Sequence, residues 1–450
     1  MARRIRSKDL SAREALVAHL RQIERVNPQV NAIVTLVEDR VREQARLADE
    51  ALARGEAVGP LHGLPIAHKD LQPAAGIRTT FGSRIYRDYV PAADSPLVER
   101  IRDAGSILLG KTNTPEFGAG SQTFNEVFGA TRNPYDLNRT CGGSSGGAAV
   151  ALACRMLPIA DGSDLASSLR NPAGFCNVVG FRPSLGQWPA QPVAGPSSLS
   201  VEGPMARCVS DVAFFFASVA GPEAGFADPL HRDFRGVRVA WWKDLGGLPV
   251  EPQVRELVDA QRSVFESLGC IVESAEPDFS GADETFKTLR SWQVYQSLTA
   301  MPFGDPRQQR ELVKEPVLWE LDRGEKRAAE EIARAEQARE GLRHRVRQFM
   351  ERYDFFVLPS SQALPFDIAQ PYPTEIAGVA MTTYIDWIKC CYYITLTGHP
   401  AISVPAAFST EGLPVGIQIV SRYRDDWGLL QMAHAFEQAA NVPLCLPPAV

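Results

Sequence analysis

From Leu61 to about Ala220 the chain repeats one texture. Short apolar runs, LPIAH, SILLG, MLPIA and NVVGF, are separated by Gly-, Pro- and Ser-rich turns and by helix-like stretches. Runs this short, bounded by turn formers, fit strands that a sheet buries, so the alternation predicts an α/β fold with loops gathered at strand ends. Such loops are where chemistry usually sits. The texture returns after Tyr353 in DFFVLPS, AISVPAAF, the turn STEGLP and VGIQIV, followed by a helix opened by Asp425-Asp426.

Other stretches frame these. A capping box at Ser11 and Glu14 opens an amphipathic helix carrying Leu16, Leu20 and Ile23, expected to end at Asn27-Pro28. A second helix begins near Val37, carries Val41, Ala45, Ala48 and Leu52 on one face, and ends at Gly55. Residues 235–350 start with strand-like VRVAWW, a helix from Gln253 to Leu268 and CIVES. A long charged helix follows with Ala328, Ile332, Ala335, Leu342, Val346 and Phe349 on its face. That region is either a cap over the substrate side or an outer layer. Because sheet segments flank it, the expectation is one large domain over 1–450. It comprises a helical lead-in at 1–58, a core at 59–220, a cap-like region at 235–350 and sheet completion at 353–450.

Composition excludes several classes. At 45% apolar and 22% charged, the 450-residue chain is globular, and no apolar run approaches a membrane span. The basic opening MARRIRSKDL lacks the apolar segment of a secretory signal, so a cytoplasmic location is expected. A net charge of −6 gives no reason to expect nucleic acid. The eight cysteines are scattered without a CxxC pair or a neighbouring His, which reads as free thiols and no metal site. Cys141 abuts a Gly/Ser stretch but has no His beside it to make a nucleophile.

That stretch, GGSSGGAAVALAC from Gly142, admits several readings. As a G-x-S-x-G elbow it would need a strand before it and a catalytic His after it. What precedes is NPYDLNRTC, polar and turn-like, and His399 and His434 stand isolated. A phosphate cradle would need a Lys, which is missing. A flexible linker would not run straight into an apolar helix.

A second serine-rich turn, DGSDLASSLRNP, runs from Asp161 directly after MLPIA. Backbone N–H groups at such a strand-to-turn junction can converge on an oxyanion while a serine attacks a carbonyl. Without a well-placed His the serine needs another base, and Lys serves in Ser-Lys variants. Only eight lysines are present, and two, Lys69 and Lys111, follow the apolar runs LPIAH and SILLG. At a reference pKa of ~10.4 about one lysine in 2,500 is neutral at pH 7. Burial lowers that pKa and makes the amine a usable base.

Taken together, GLPIAHKD, GIRTTFGS, GKTNTPEFG, TRNPYD, GGSSGG, DGSDLASSLRNPAGFCNVVGFRPS and GLPVGIQIV resemble, in order, the amidase signature family of Ser-cisSer-Lys hydrolases. The likeness is strong over about 10–220, moderate over 353–440 and loose over 235–350. It implies a large central mixed twisted sheet covered by helices on both faces. It makes Lys69 the base, Ser144 the relay serine after a cis peptide at Gly143-Ser144, and Ser168 the nucleophile, with spacings of 75 and 24 residues that fit. Neutral Lys69 would take a proton from Ser144, which takes one from Ser168 as it attacks. The backbone N–H groups of Leu165, Ala166, Ser167 and Ser168 would form the oxyanion hole. Ser145, Asp164 and Arg170 would brace the site. Phe117, Gly118 and Ala119, with Tyr384, Trp387 and Tyr392, would line the substrate pocket.

One departure touches the chemistry. The family's Asp-x-Gly-Gly-Ser reads Asp164-Leu165-Ala166-Ser167-Ser168, which places side chains where glycines are usual and a second hydroxyl beside the nucleophile. The expected activity is hydrolysis of amide C–N bonds, with aryl amides, carbamates (urethanes) and esters sharing the acyl-transfer step. The expected partner is a small-molecule amide or carbamate, with no cofactor, no nucleic acid and no membrane, in a monomer or homodimer. The alternatives are an amidotransferase-type amidase subunit, or a binding protein of this fold that has lost turnover.

Overall fold

The protein is described by a computed structural model, over residues 1–188, 198–221, 225–226, 228–442 and 447–448. Its main sheet has eight strands in the spatial order Ile271–Ser274, Arg238–Trp241, Phe355–Pro359, Pro414–Ser421, Ala401–Phe408, Val179–Arg182, Val201–Ala206 and Ile159–Asp164. The first three run parallel and the remaining pairs antiparallel, so the sheet is mixed. Every residue of Pro414–Ser421 is buried, which requires cover on both faces. Helix Arg170–Phe175 packs against the Gly416 side of that strand, and helices Val209–Ala220 and Asp426–Ala440 pack on the sheet and on each other.

A three-stranded companion sheet is ordered Ile33–Leu36, Ile107–Thr112, Pro65–Lys69. Its strand Pro65–Lys69 lies beside edge strand Ile159–Asp164 of the main sheet, where Asp161 bonds to His68 and to the Lys69 backbone. The apolar runs read from sequence are therefore strands; the second serine-rich turn follows strand Ile159–Asp164, whereas GGSSGG follows the short polar strand Asp136–Thr140. Among the described residues, no helix is long and apolar enough to cross a membrane.

Two boundaries differ from expectation. The first long helix passes through Pro28 and ends at Val30, because Asn31 adopts a left-handed conformation there and the Asn27 side chain accepts from the N–H groups of Ala32 and Ile33. The expected helix from Gln253 to Leu268 is two, Pro252–Asp259 and Arg262–Ser267, joined at Ala260 and Gln261. The middle region holds three further helices, Ala282–Thr299, Glu315–Glu325 and Ala329–Arg352, of which the last carries the buried Ala335, Leu342 and Val346. Its two strands belong to the main sheet, and helix Ala282–Thr299 faces the serine-rich loops.

Candidate active site

Lys69 ends its strand fully buried, with the apolar PIA segment before it carrying the side chain out of water. Burial pushes its amine down to about 8, although Glu202, Asp164 and Asp161 each pull it back up. The Nζ atom meets three hydroxyls: Ser144 Oγ at 2.7 Å, Ser145 Oγ at 2.9 Å and Ser163 Oγ at 2.9 Å. Lys111, at the end of the neighbouring strand, is also buried and also drawn down to about 8, but its Nζ donates to the Gln72 carbonyl.

The GGSSGG stretch is fixed from several sides. The polar segment before it is not merely a turn: Asp136–Thr140 is a short strand paired with Arg132–Asn133. The peptide between Gly143 and Ser144 is cis. Gly142 has φ +73°, and a Cβ there would lie 2.5 Å from Asn171 Oδ1, so only glycine fits. The following residues form the wholly buried helix Gly146–Ala153, which anchors the loop. Ser145 ties it to the second serine turn, since its N–H donates to the Ser168 carbonyl at 3.3 Å.

That second turn is held by ions. Arg170 makes a two-bond contact to Asp164, with Nε and Nη2 each 3.0 Å from a carboxylate oxygen, and both side chains are buried. Arg182 also donates to Asp164 at 3.3 Å. Burial works to raise the Asp164 carboxyl, but the two guanidiniums outweigh it and hold it below the usual range. Arg170 Nη2 and Thr395 Oγ1 then fix the Ala166 carbonyl, at 2.8 and 3.2 Å. None of Leu165, Ala166, Ser167 and Ser168 has a positive φ, so this turn does not need the freedom of glycine. Their N–H groups meet no acceptor among the described residues and are available to an oxyanion. Ser167 is fully buried and its hydroxyl pairs with Ser121 Oγ at 2.9 Å, whereas Ser168 opens into a cleft.

The cleft has a volume of about 140 Å³ and is bounded by Ser144, Ser163, Ser168, Leu165, Ala166 and the loop from Phe117 to Ser121. Gly118 lies so close that a Cβ would sit 3.5 Å from Ser144 Oγ and 2.8 Å from Leu71, at φ +70°. Arg290, Gln293, Val294, Ser297 and Leu298 of helix Ala282–Thr299 form the facing wall. A larger groove of about 830 Å³ runs along Asp278–Lys287, lined by none of these serines.

Phe117, Gly118 and Ala119, which the family resemblance assigns to the substrate pocket, line the cleft. Three further residues do not. Tyr384 stands behind the wall, its hydroxyl donating to Glu320 at 2.6 Å and accepting from Arg290 at 2.8 Å. Trp387 packs in the core against Phe175 and Phe366, and Tyr392 stacks on Phe286 with ring centroids 4.1 Å apart. Each is an aromatic side chain whose polar atom finds an internal partner, which is how large aromatics are accommodated in cores. His399 is buried in contact with Tyr423, and neither it nor His434 borders the serines. Burial pushes the Cys141 thiol up to about 12, and its Sγ faces the Thr131 carbonyl. The described cysteines are unpaired, while Cys445 lies outside the described residues.

The Amidase family profile matches residues 14–430 of this chain. The chain belongs to the amidase signature family. Amidase-family relatives include an acylamidase of Rhodococcus erythropolis, 34% identical over 97% of this chain and 94% of that protein. A glutamyl-tRNA(Gln) amidotransferase subunit of Synechococcus sp. (strain CC9605) is also 34% identical, over 99% of this chain and 96% of that protein. The crystal structure of a bacterial aryl acylamidase of the amidase signature family superposes with a TM-score of 0.89 at 28% identity, covering 97% of this chain and 95% of that one. The chain is thus an amidase-family hydrolase acting on C–N bonds, with the family's large mixed sheet and flanking helices.

Ser163 and Arg290 at this amidase site escape sequence reasoning. Ser163 is two residues beyond Asp161 on the same strand, and period-two alternation directs both toward Lys69. Arg290 lies in the part of the chain where motifs are absent, and only the three-dimensional packing of helix Ala282–Thr299 brings it to the cleft.

Proposed function

We propose that this amidase hydrolyses small aryl amides, and the corresponding aryl carbamates and esters, through an acyl-enzyme on Ser168. The carrying observation is the buried Lys69 amine, 2.7 Å from Ser144 Oγ, beside a cleft into which Ser168 opens. A neutral amine has two N–H donors and one lone pair. The donors suit Ser145 and Ser163, leaving the lone pair for the Ser144 hydroxyl proton. Ser168 passes its proton to Ser144 as it attacks the carbonyl, and Ser144 passes its own to Lys69. The tetrahedral oxyanion is received by the free N–H groups of the Leu165–Ser168 turn. Collapse returns the proton through Ser144 to the leaving nitrogen, and water then cleaves the Ser168 ester by the same relay.

Cleft size supports the substrate class. A cavity of roughly 150 Å³ holds a benzene ring, and the apolar walls Leu71, Phe117, Val294 and Leu298 suit one. The likeness to the aryl acylamidase structure points the same way. A fluorophosphonate probe should label Ser168, and a screen of anilides against matched carbamates and esters should find turnover of the anilides. A folded protein that resists the probe supports the binding-protein reading instead. The likeness to the glutamyl-tRNA(Gln) amidotransferase subunit favours a second reading, in which this chain is the amidase subunit of an amidotransferase and works with a partner protein. Amide hydrolysis that appears only in complex with a co-purifying partner, with no anilide turnover by the chain alone, would establish it.

A further inference from the structure

Three carboxylates surround the Lys69 amine, and their hydrogen bonds separate them. Asp164 is claimed by Arg170 and Arg182. Asp161 accepts from His68 Nδ1 at 2.6 Å and from the Lys69 backbone N–H at 3.3 Å. Glu202 is different. It lies on strand Val201–Ala206 directly opposite Ser163 in the antiparallel register, so the two side chains leave the same face of the sheet. Ser163 Oγ is in turn 2.9 Å from Lys69 Nζ. The Gln72 side chain hydrogen-bonds to Glu202, yet Glu202 Oε2 is buried without a partner among the described residues. A buried carboxylate oxygen left unpaired costs stability unless something uses it.

Resting on the relay proposed above, we propose that Glu202 is a positioning residue for the base. Its carboxylate faces the positive charge that Lys69 acquires when it takes the serine proton, and it steadies that charge until the proton returns to the leaving nitrogen. No proton is gained or lost in the cycle; Glu202 supplies only a counter-charge. The electrostatics agree. Burial holds the Glu202 carboxyl up near 7 against the pull of Gln72 and Lys69, while Asp161 pushes it further up. Among the carboxylates, Glu202 makes the largest contribution to raising Lys69. The other charged groups that face these two side chains are Asp161 and Asp164.

The test is the pH dependence of the rate at which a fluorophosphonate probe labels Ser168, which needs no known substrate. In Glu202→Gln the acid limb should move about one pH unit lower, because Lys69 loses a nearby opposite charge and sheds its proton more readily. Labelling at the alkaline plateau should fall several-fold. Glu202→Asp, which keeps the charge one methylene farther away, should move the limb in the same direction by less, and it carries the test if the Gln variant does not fold. A limb unmoved in whichever variant folds, with labelling reduced equally at every pH, would make Glu202 merely structural and overturn the inference. If the wild-type protein is not labelled at any pH, the relay itself fails, and that outcome is distinct.

Discussion

Lys69 ends one strand and Lys111 is the penultimate residue of the adjacent parallel strand, with Lys69 opposite Thr112 and His68 opposite Lys111. Both side chains are fully buried, and burial draws both amines down to about 8. What differs is the partner. Lys69 reaches three hydroxyls, each of which holds a proton that can move, whereas Lys111 reaches the carbonyl of Gln72, which has none, and faces Asp70. Desolvation makes both amines chemically unusual, but only one is connected to a cleft and a nucleophile. A perturbed lysine marks a site only when its hydrogen-bond partner can complete a proton path.

The sharpest break of this comparison is a paired substitution. Lys69→Ala should lower kcat by about 10⁴-fold or more, as removal of one member of a catalytic unit does. Lys111→Met should keep kcat within about tenfold and instead lose roughly 1–3 kcal/mol of stability, since it leaves the buried Asp70 without its cation. Turnover of an anilide and urea unfolding of the two variants measure both quantities. Equal inactivity in two equally folded variants would erase the distinction drawn between the strands.

Arg170 extends the comparison to a buried cation that donates to a carboxylate, to carbonyl oxygens and to the Thr395 hydroxyl, but whose guanidinium keeps its proton and so cannot act as a base. By the same reasoning it should behave like Lys111 and register mainly as stability. Arg170→Met should cost about 3–5 kcal/mol in urea unfolding, the cost of breaking a buried pair from one side. Activity should also fall, because the Ala166 carbonyl loses the donor that aims its turn. A variant as stable as wild type would show that Arg182 alone suffices for Asp164.

These distinctions were legible in the sequence to different depths. The strands at LPIAH, SILLG and MLPIA were readable because short apolar runs between Gly and Pro have few other solutions, and Lys69 and Lys111 were readable as strand-end lysines for the same reason. Which lysine meets serines was not readable from spacing alone. It depends on strand Pro65–Lys69 lying beside strand Ile159–Asp164, a contact between residues some 90 positions apart that local pattern does not encode. Glu202 and Arg290 were illegible for the same reason: each reaches the site from a segment without a motif. The aromatic residues Trp387 and Tyr392 were misplaced because a pocket wall and a core layer use the same residue types.

Smaller in effect is the pH response. Lys69 acts as a base only when unprotonated, so kcat/KM should rise about tenfold per pH unit below about 8 and flatten above it. Lys111→Met should leave that limb in place. Stability behaves differently, because both lysines enter it. Unfolded, each amine keeps its proton up to about the ordinary 10.5, but folded it releases the proton above about 8. Between those values the unfolded chain binds more protons, so the lysine contribution to stability rises with pH there. Urea unfolding at pH 8 and pH 10 should show a smaller rise in Lys111→Met than in wild type. An unchanged rise would mean that Lys111 is not deprotonated in the folded protein.

The least effect is expected where the partner rule is applied to two adjacent serines. Ser167 and Ser168 carry the same hydroxyl one residue apart, yet Ser167 has its hydrogen bond to Ser121 and no exposure, while Ser168 borders the cleft. Ser167→Ala should therefore keep kcat/KM within about threefold and lose about 1 kcal/mol, the net worth of one hydrogen bond. The loss stays small because Ser121 itself borders the cleft and water can take the vacated position. Ser168→Ala should be inactive and unlabelled by a fluorophosphonate, yet as stable as wild type. The reverse pattern, with Ser167 essential and Ser168 dispensable, would put the nucleophile one residue earlier and require the turn held by Arg170 to rotate before attack.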